Sequence, residues 1–394
     1  MKKSDKTRIG LIGAGHVCRV GHGPAIKADG RAYIAAISDP DPYNRKLFAK
    51  KYRVPGVYEE HRAMLESEEL DAVVISSPPW LHAVHVKDSA SKGLPILCEK
   101  PMATNLEDCR AIIEAANKNN VYILMGHCKR FEPGHQRIRE LLMKESIGRI
   151  FQINIFWYFF IPNLTVGFLG NLARKLKKHG FDVDREFGFW RYSDPRAGGG
   201  DFFDHAPHYL DIIRFYGMEI EQVSCETKRC YPDIRPYEDL AVATFKLSNG
   251  AILLYDKNII RTGSPYGFER GYIYGEKGKI AFKAAHAYRK RRMKVGIYRL
   301  FNILHDCYYP AIFPYGRKKT MFYRQMKYFI DNVRHENTLK DGISGSWGAT
   351  PEDSFLTIAW TLASYKSARD GIKITRDNLF SEIESFQTGR PHDW

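Results

Sequence analysis

The sequence predicts two parts: an α/β N-terminal domain built on a doubly wound parallel sheet over residues 1–128, and an α+β C-terminal domain with a mostly antiparallel open sheet over 129–394. Three observations lead there. Short apolar runs alternate with helical patterns from residue 8 to about 125. A glycine loop, Gly13 and Gly15, follows the first run. Beyond Arg130 the runs are separated by glycine-rich turns such as Asn249-Gly250.

In chain order, Arg8–Ile12, Tyr33–Ile37, Ala72–Ile75, Ile96–Cys98 and Val121–Leu124 read as buried parallel strands with helices between them. Arg149–Phe160, Gln222–Lys228, Leu240–Leu247, Ala251–Asn258, Arg270–Tyr274 and Lys279–Phe282 read as strands of the second sheet. Thr320–Arg334 and Glu352–Arg369 carry helical patterns, the second opened by Thr350-Pro351-Glu352-Asp353 as cap and first turn. These C-terminal helices are expected to pack back on the first domain.

The 394 residues hold ordinary amounts of apolar and aromatic side chains, which excludes a disordered chain. Seven cysteines without a Cys-x-x-Cys pair argue against a disulfide framework or a thiolate metal site, and fit a cytoplasmic setting. The start is basic and then apolar but is broken by Gly10 and Gly13, so it reads as a first strand and not as a signal peptide. The net charge of +15 is concentrated: residues 286–327 hold 11 basic and one acidic side chain, or +10, against 18 and 15 in residues 1–125. A charge so local points to one anion-facing surface, with no nucleic acid expected as a partner.

Ile9-Gly10-Leu11-Ile12-Gly13-Ala14-Gly15-His16-Val17-Cys18 is a strand running into a glycine turn and a helix. Gly13 permits the turn, Gly15 lets backbone approach a pyrophosphate, and the amides about His16 and Val17 face it. Cys18 replaces the third glycine of the fingerprint. Asp39 ends the second strand, placed to accept ribose hydroxyls. It is followed by Pro40 and Asp41 with no arginine for a 2′-phosphate, which favours NAD over NADP. Glu99-Lys100-Pro101 follows a buried strand of the same unit, where a lysine reaches a cofactor crevice, so Lys100 is a candidate catalytic residue. In Gly198-Gly199-Gly200-Asp201-Phe202-Phe203-Asp204-His205-Ala206-Pro207-His208, a helix would put Asp204 and His208 on one face, as a carboxylate orienting a general base. Asp204 with His205 would diverge by about 100°. Asp204 with His208 is thus the one convergent pair, and no metal is expected.

Together, the Gly13–Cys18 loop, Ser76-Ser77-Pro78-Pro79-Trp80-Leu81-His82, Glu99-Lys100-Pro101 and the Gly198–Asp211 segment resemble the Gfo/Idh/MocA oxidoreductase family. The resemblance runs in order over residues 8 to about 290 and resumes in the last fifty. It implies a nicotinamide-binding Rossmann domain, a substrate domain, and hydride transfer on a ring hydroxyl or ketone of a sugar, cyclitol or derivative. It implies Lys100, Asp204 and His208 as catalytic residues, and Gly13, Gly15, His16, Val17, Asp39, Ser77, Pro78, His82, Glu99 and Lys100 as cofactor contacts. Arg130 joins Lys100, Asp204 and His208 as a substrate contact, and a homo-oligomer forms through the second sheet. The departures are Cys18 and Ala206, at positions where the family often has glycine. Two other readings share these residues: an epimerase or oxidation-assisted glycosidase that recycles tightly bound NAD, and a non-catalytic NAD-binding regulator.

The resemblance leaves two atypical segments, 156–197 and 286–327. Residues 150–173 carry no charge, but Gln152, Asn154, Pro162, Asn163 and Asn171 break a membrane span; Leu164 to Lys178 fits a short interfacial helix. The basic, aromatic tract 286–327 is read as an insertion packing its aromatics on a neighbour subunit, with a surface for an anionic membrane or for a phosphorylated, lipid- or nucleotide-linked sugar as the sharper alternative.

Overall fold

The computed structural model describes residues 6–158, 191, 194–230, 237–258, 268–283, 320–334, 347–384 and 386. The chain divides into two compact units, Met1–Pro133 with Pro314–Ile358, and Gly134–Phe313 with Ala359–Trp394. In this division the first stretch ends at Pro133, and each unit is built from two separated stretches.

In the first unit, β1 (Thr7–Ile12), β2 (Ala32–Ser38), β3 (Gly56–Tyr58), β4 (Ala72–Ile75), β5 (Ile96–Cys98) and β6 (Ile123–Met125) form one parallel sheet in the order β3-β2-β1-β4-β5-β6. All four residues of β4 and all three of β5 and β6 are buried. That is what a strand covered on both faces requires, and it is why these runs contain no alternation. The crossover helices are α1 (Gly23–Asp29), α2 (Pro42–Tyr52), α3 (His61–Ser67), α4 (His82–Ser91) and α5 (Leu106–Asn119). Local chemistry sets their starts. Asp41 accepts the Tyr43 amide at 2.9 Å before Pro42 opens α2, and Asn105 accepts the Asp108 amide at 2.8 Å before α5.

A later helix, numbered α8 (Met321–Val333), completes this unit. Its Met326, Phe329 and Ile330 are buried in one core with Ile9, Leu11, Ile26, Ile37 and Leu124. Arg31 fastens it, pairing with Asp29 at 2.8 Å and with Asp331 at 2.7 Å. Phe322 and Tyr323, at the end of the basic tract, pack on this same core. The rest of the tract, and the helix expected over Leu164–Lys178, lie outside the described residues.

The second unit begins within α6 (Pro133–Met143) and centres on a sheet of β7 (Ile150–Tyr158), β8 (Ile220–Lys228), β9 (Leu240–Leu247), β10 (Ile252–Asn258), β11 (Phe268–Gly275), β12 (Gly278–Lys283) and β13 (Ile374–Thr375). The order is β12-β11-β7-β10-β9-β8-β13. Asn249-Gly250 turns β9 into β10 with Gly250 at φ +84°, the left-handed conformation that glycine adopts without strain. The pairing is antiparallel except that β7 and β10 run parallel, because β7 enters the sheet between two later hairpins. α7 (Asp201–Phe215), the later part of α9 (Pro351–Asp370) and α10 (Leu379–Ile383) belong to this unit. Among the described residues no helix is long and apolar enough to cross a membrane.

Candidate active site

β1 has β2 on one side and β4 on the other, so the strand order reverses between β1 and β4, and the loops after these two strands meet there. The contact is tight. Gly13, at φ +95°, would place a Cβ 2.7 Å from the Ser77 amide nitrogen, which no side chain tolerates. Its N–H donates to the Ser38 carbonyl at 2.8 Å, and its own carbonyl accepts from the Ser76 hydroxyl at 2.9 Å. A Cβ on Gly15 would meet nothing within 4 Å, so the loop leaves open space where the fingerprint needs backbone to approach a ligand.

Asp39 sits at the end of β2 as expected. Its carboxylate accepts the Ala14 amide at 2.7 Å and the Asp41 amide at 2.9 Å. Burial raises its pKa, with the two amide bonds opposing the shift. Arg45 turns its guanidinium to the Asp39 and Pro40 carbonyls at 2.6 and 2.9 Å and to Glu59 at 3.2 Å. Cys18 is fully buried, and burial pushes its thiol up to about 12, so it packs and does not react. The chain from Cys18 to His22 forms a wide π-helical turn before α1. Gly21 and Gly23 are needed there, since a Cβ would strike Phe322 at 2.8 Å or Tyr52 at 2.8 Å.

His82, expected as a cofactor contact, is bonded to the backbone on both ring nitrogens. It is fully buried, with Nδ1 3.0 Å from the Pro101 carbonyl and 3.2 Å from that of Met102, and Nε2 2.9 Å from the Ser77 carbonyl. One ring thus ties the Ser77-Pro78 loop to the segment after Lys100. Burial lowers its pKa against the pull of those carbonyls. Glu99 is buried as well: Oε1 lies 2.8 Å from Nε2 of His22, and Oε2 accepts the Lys100 amide at 3.1 Å. Burial pushes this carboxyl up, but the His22 bond and the charges of His22 and Lys100 outweigh it, leaving its pKa lowered. Arg130, expected as a substrate contact, is buried, bonding the Gly348 carbonyl at 3.2 Å and Asp353 at 3.1 Å. Lys100 is half-buried beside this framework.

In the second unit α7 carries the other candidates. Gly200 precedes it closely packed, since a Cβ there would lie 2.5 Å from the Glu238 carboxylate. Glu238 accepts the amides of Gly200 at 3.1 Å and Phe202 at 2.9 Å, and Tyr365 donates to it at 2.8 Å, so a buried carboxyl caps the helix. Burial pushes Glu238 up to about 7. From Asp201 to Leu210 only Asp204 and His208 escape full burial, four residues apart on one face.

The opposite face meets the sheet. Lys257 of β10, Trp157 of β7 and Glu269 of β11 are cross-strand neighbours. They receive Asp201, His205 and Tyr209 in turn: Asp201 forms a buried ion pair with Lys257, the His205 and Trp157 rings stand edge to face at 4.5 Å, and Tyr209 donates to Glu269. Burial pushes the Asp201 carboxyl up, but the Lys257 charge and the charge and bond of His205 outweigh it, so its pKa, like that of Glu99, is held down. Across the two faces, Oδ2 of Asp204 lies 3.9 Å from Nε2 of His205. The sequence reading missed Asp201 and Lys257. The signal was the alternation Leu253, Tyr255, Lys257, which directs the lysine inward.

A reversal point of a parallel sheet, its glycine turn and its acid-ended second strand define a dinucleotide-binding domain, here followed by a sheet domain with a carboxylate and an imidazole on one helix face. Residues 7–127 match the family described as Oxidoreductase family, NAD-binding Rossmann fold, and residues 135–281 match the GFO/IDH/MocA C-terminal domain. The chain belongs to the Gfo/Idh/MocA oxidoreductase family. It is 25% identical over 279 residues to Oxidoreductase P35 of Formosa agariphila, covering 69% of this chain and 78% of that protein. It is also 25% identical over 278 residues to myo-inositol 2-dehydrogenase of Thermotoga maritima, covering 69% and 74%. The structure of GenD2 from gentamicin A biosynthesis, solved in complex with NAD, shares the fold with a TM-score of 0.74 at 18% identity over 94% of this chain and 96% of that one.

Proposed function

We propose that this protein is an NAD-dependent dehydrogenase acting on a ring CH–OH group of a sugar, cyclitol or related compound. The observation that carries the reading is the exposure pattern of α7, in which only Asp204 and His208 of the first ten residues are not buried. A packed helix that spares one carboxylate and one imidazole at a spacing of four presents a base and its orienting group. Similarity to myo-inositol 2-dehydrogenase, and 26% identity over 208 residues to 1,5-anhydro-D-fructose reductase of Ensifer adhaerens, support the substrate class.

The residues present fit a dinucleotide. Gly13 and Gly15 clear space at the loop, and the Ala14, His16 and Val17 backbone and Asp39 stand where pyrophosphate and ribose hydroxyls would be held. Asp39 supports NAD over NADP, since a carboxylate repels a 2′-phosphate, and Arg45 is engaged with two carbonyls and Glu59. When bound, the nicotinamide exchanges a hydride with the carbinol carbon. His208 takes the hydroxyl proton as general base, Asp204 holds the substrate and orients the imidazole, and Lys100 stabilises the developing oxygen. His82, His22 and Glu99 fix the backbone on either side of Lys100, so its ammonium is aimed by a buried frame. We further propose a homo-oligomer through the outward side of the second sheet, where Ile252 and Tyr274 are exposed.

The test is mass-spectrometric identification of the cofactor retained on purification, followed by a panel of sugars, cyclitols and sugar nucleotides with NAD and NADP read at 340 nm. Oxidation of a cyclitol or sugar with reduction of NAD to NADH is expected. Action on a substrate without added cofactor and without net NADH would instead establish the recycling reading.

A further inference from the structure

The loop after β4 is held by side chains that the proposed reaction does not use. Ser77 is fixed at three points. Its amide lies against the Gly13 turn, where a Cβ would come within 2.7 Å, its carbonyl faces Nε2 of His82 at 2.9 Å, and its hydroxyl lies 2.8 Å from Nδ1 of His85. The first two hold backbone. Only the third acts on the side chain, selecting one of the staggered positions open to a serine hydroxyl. His85 is buried on α4 and is itself braced by the His61 ring, which meets it edge to face at 4.4 Å between centroids. Burial pushes the nearby Asp88 carboxyl up, but its bonds to His61 and Arg62, each 2.8 Å, outweigh this and keep it ionised. An ionised carboxylate only accepts, so His61 donates to it from Nε2.

Burial, with His61 and His82 close by, pushes the His85 pKa down to about 3, so its ring is neutral. A hydroxyl has one hydrogen and two lone pairs, so it bonds a neutral Nδ1 in either tautomer and keeps capacity for a ligand. The topology says which part of a ligand that is. Asp39 ends β2 on one side of β1 and Ser77 follows β4 on the other, so a dinucleotide with its pyrophosphate on the Gly13 turn sends its two halves to opposite sides. With the adenosine ribose at Asp39, the second ribose falls to Ser77. We propose that His85 is a positioning residue for the cofactor: it holds the Ser77 hydroxyl where the ribose of the nicotinamide half is bound, while His61 and Asp88 hold the His85 ring. The proposal rests on the dinucleotide reading of the Gly13 site.

Calorimetric titration with NAD and with ADP, which lacks the second ribose, tests it. His85→Leu keeps bulk on α4 and removes Nδ1, whereas His85→Asn puts an amide atom near the Nδ1 position. His85→Leu should weaken NAD binding by roughly threefold to tenfold, the worth of one neutral hydrogen bond, and leave ADP binding unchanged, which also shows that the variant is folded. His85→Asn should return NAD affinity to near the wild-type value. Ser77→Ala should weaken NAD at least as much as His85→Leu does, and the double variant no more than Ser77→Ala alone, because the histidine acts through the hydroxyl. His61→Ala should weaken NAD in the same direction and by less. Equal losses for NAD and ADP, no rescue by asparagine, or losses that multiply in the double variant would overturn the proposal and leave His85 a packing residue. Unaltered protein that binds neither NAD nor NADP would remove the dinucleotide reading and the proposal together, whereas NAD binding unmoved in His85→Leu removes the proposal alone.

Discussion

Lys257→Met removes one partner of a fully buried ion pair and leaves Asp201 in place, with both side chains at 1% exposure in the intact protein. Breaking such a pair costs roughly 3–5 kcal/mol, because the remaining charge keeps its desolvation penalty and loses its compensation. At about 2–4 °C per kcal/mol for a unit of this size, the midpoint should fall by roughly 6–20 °C. The double variant Asp201→Asn with Lys257→Met, which buries no charge, should recover most of that loss. The pH dependence follows from Asp201. In the intact protein its pKa is lowered, so its contribution is present above the unfolded carboxylate value near 3.8 and is lost only as pH falls through the folded value. Without Lys257, burial raises the folded pKa, so acidification protonates Asp201 in the folded state and the gap to wild type narrows as pH falls from 7 toward 5. Calorimetry of the four proteins of the cycle at three pH values checks this. A double variant no more stable than Lys257→Met, or a gap that widens on acidification, would refute the charge-burial argument.

Three further outcomes are expected. Lys100→Ala and His208→Ala should each lower turnover by roughly a hundredfold or more in the 340 nm assay with cofactor binding retained, and near wild-type turnover in both would remove them from the chemistry. Gly13→Ala meets the Ser77 backbone at 2.7 Å, so calorimetric titration with NAD should show binding weakened at least tenfold, and unchanged affinity would contradict the tight loop contact. Glu238 has its folded pKa raised from 4.5 to about 7, so urea unfolding should show stability falling by roughly 3 kcal/mol as pH rises through that window. Glu238→Gln should flatten that slope, and an equal slope in the variant would place the titration elsewhere.

The parallel sheet was legible because buried strands such as Ala72–Ile75 and Ile96–Cys98 are uninterrupted apolar runs, and because Gly13 and Asp39 mark the ends of β1 and β2. The α7 candidates were legible from the Asp204 and His208 spacing. What escaped was set by partners remote in sequence. Glu99 meets His22 across 77 positions, and Asp201 meets Lys257 only once β10 lies beside β7 in a parallel pairing that no local turn dictates. The partners of His82 were hidden for a similar reason, since the three carbonyls around it come from two separate loops. Phe322 and Tyr323 looked like part of a surface tract because their partners, Gly21 and the core of β1 and β2, lie some 300 residues upstream.

The two-piece construction of the first unit imposes an order on biosynthesis. Its core is shared by Ile9 and Leu11 with Met326, Phe329 and Ile330, so the apolar surface beside β1 and α1 stays uncovered while residues 134–313 are being translated. Domains usually fold as they emerge, N-terminal first. Here the nucleotide-binding unit, although encoded first, is completed only after residues 134–313 have been made, when Arg31 finds Asp331 and α8 docks. A fragment ending at Pro133 would retain every signature motif of the Gly13 loop and the Lys100 segment and still lack a closed core. The two units are thus interleaved along the chain, and the second in turn closes only with residues 359–394.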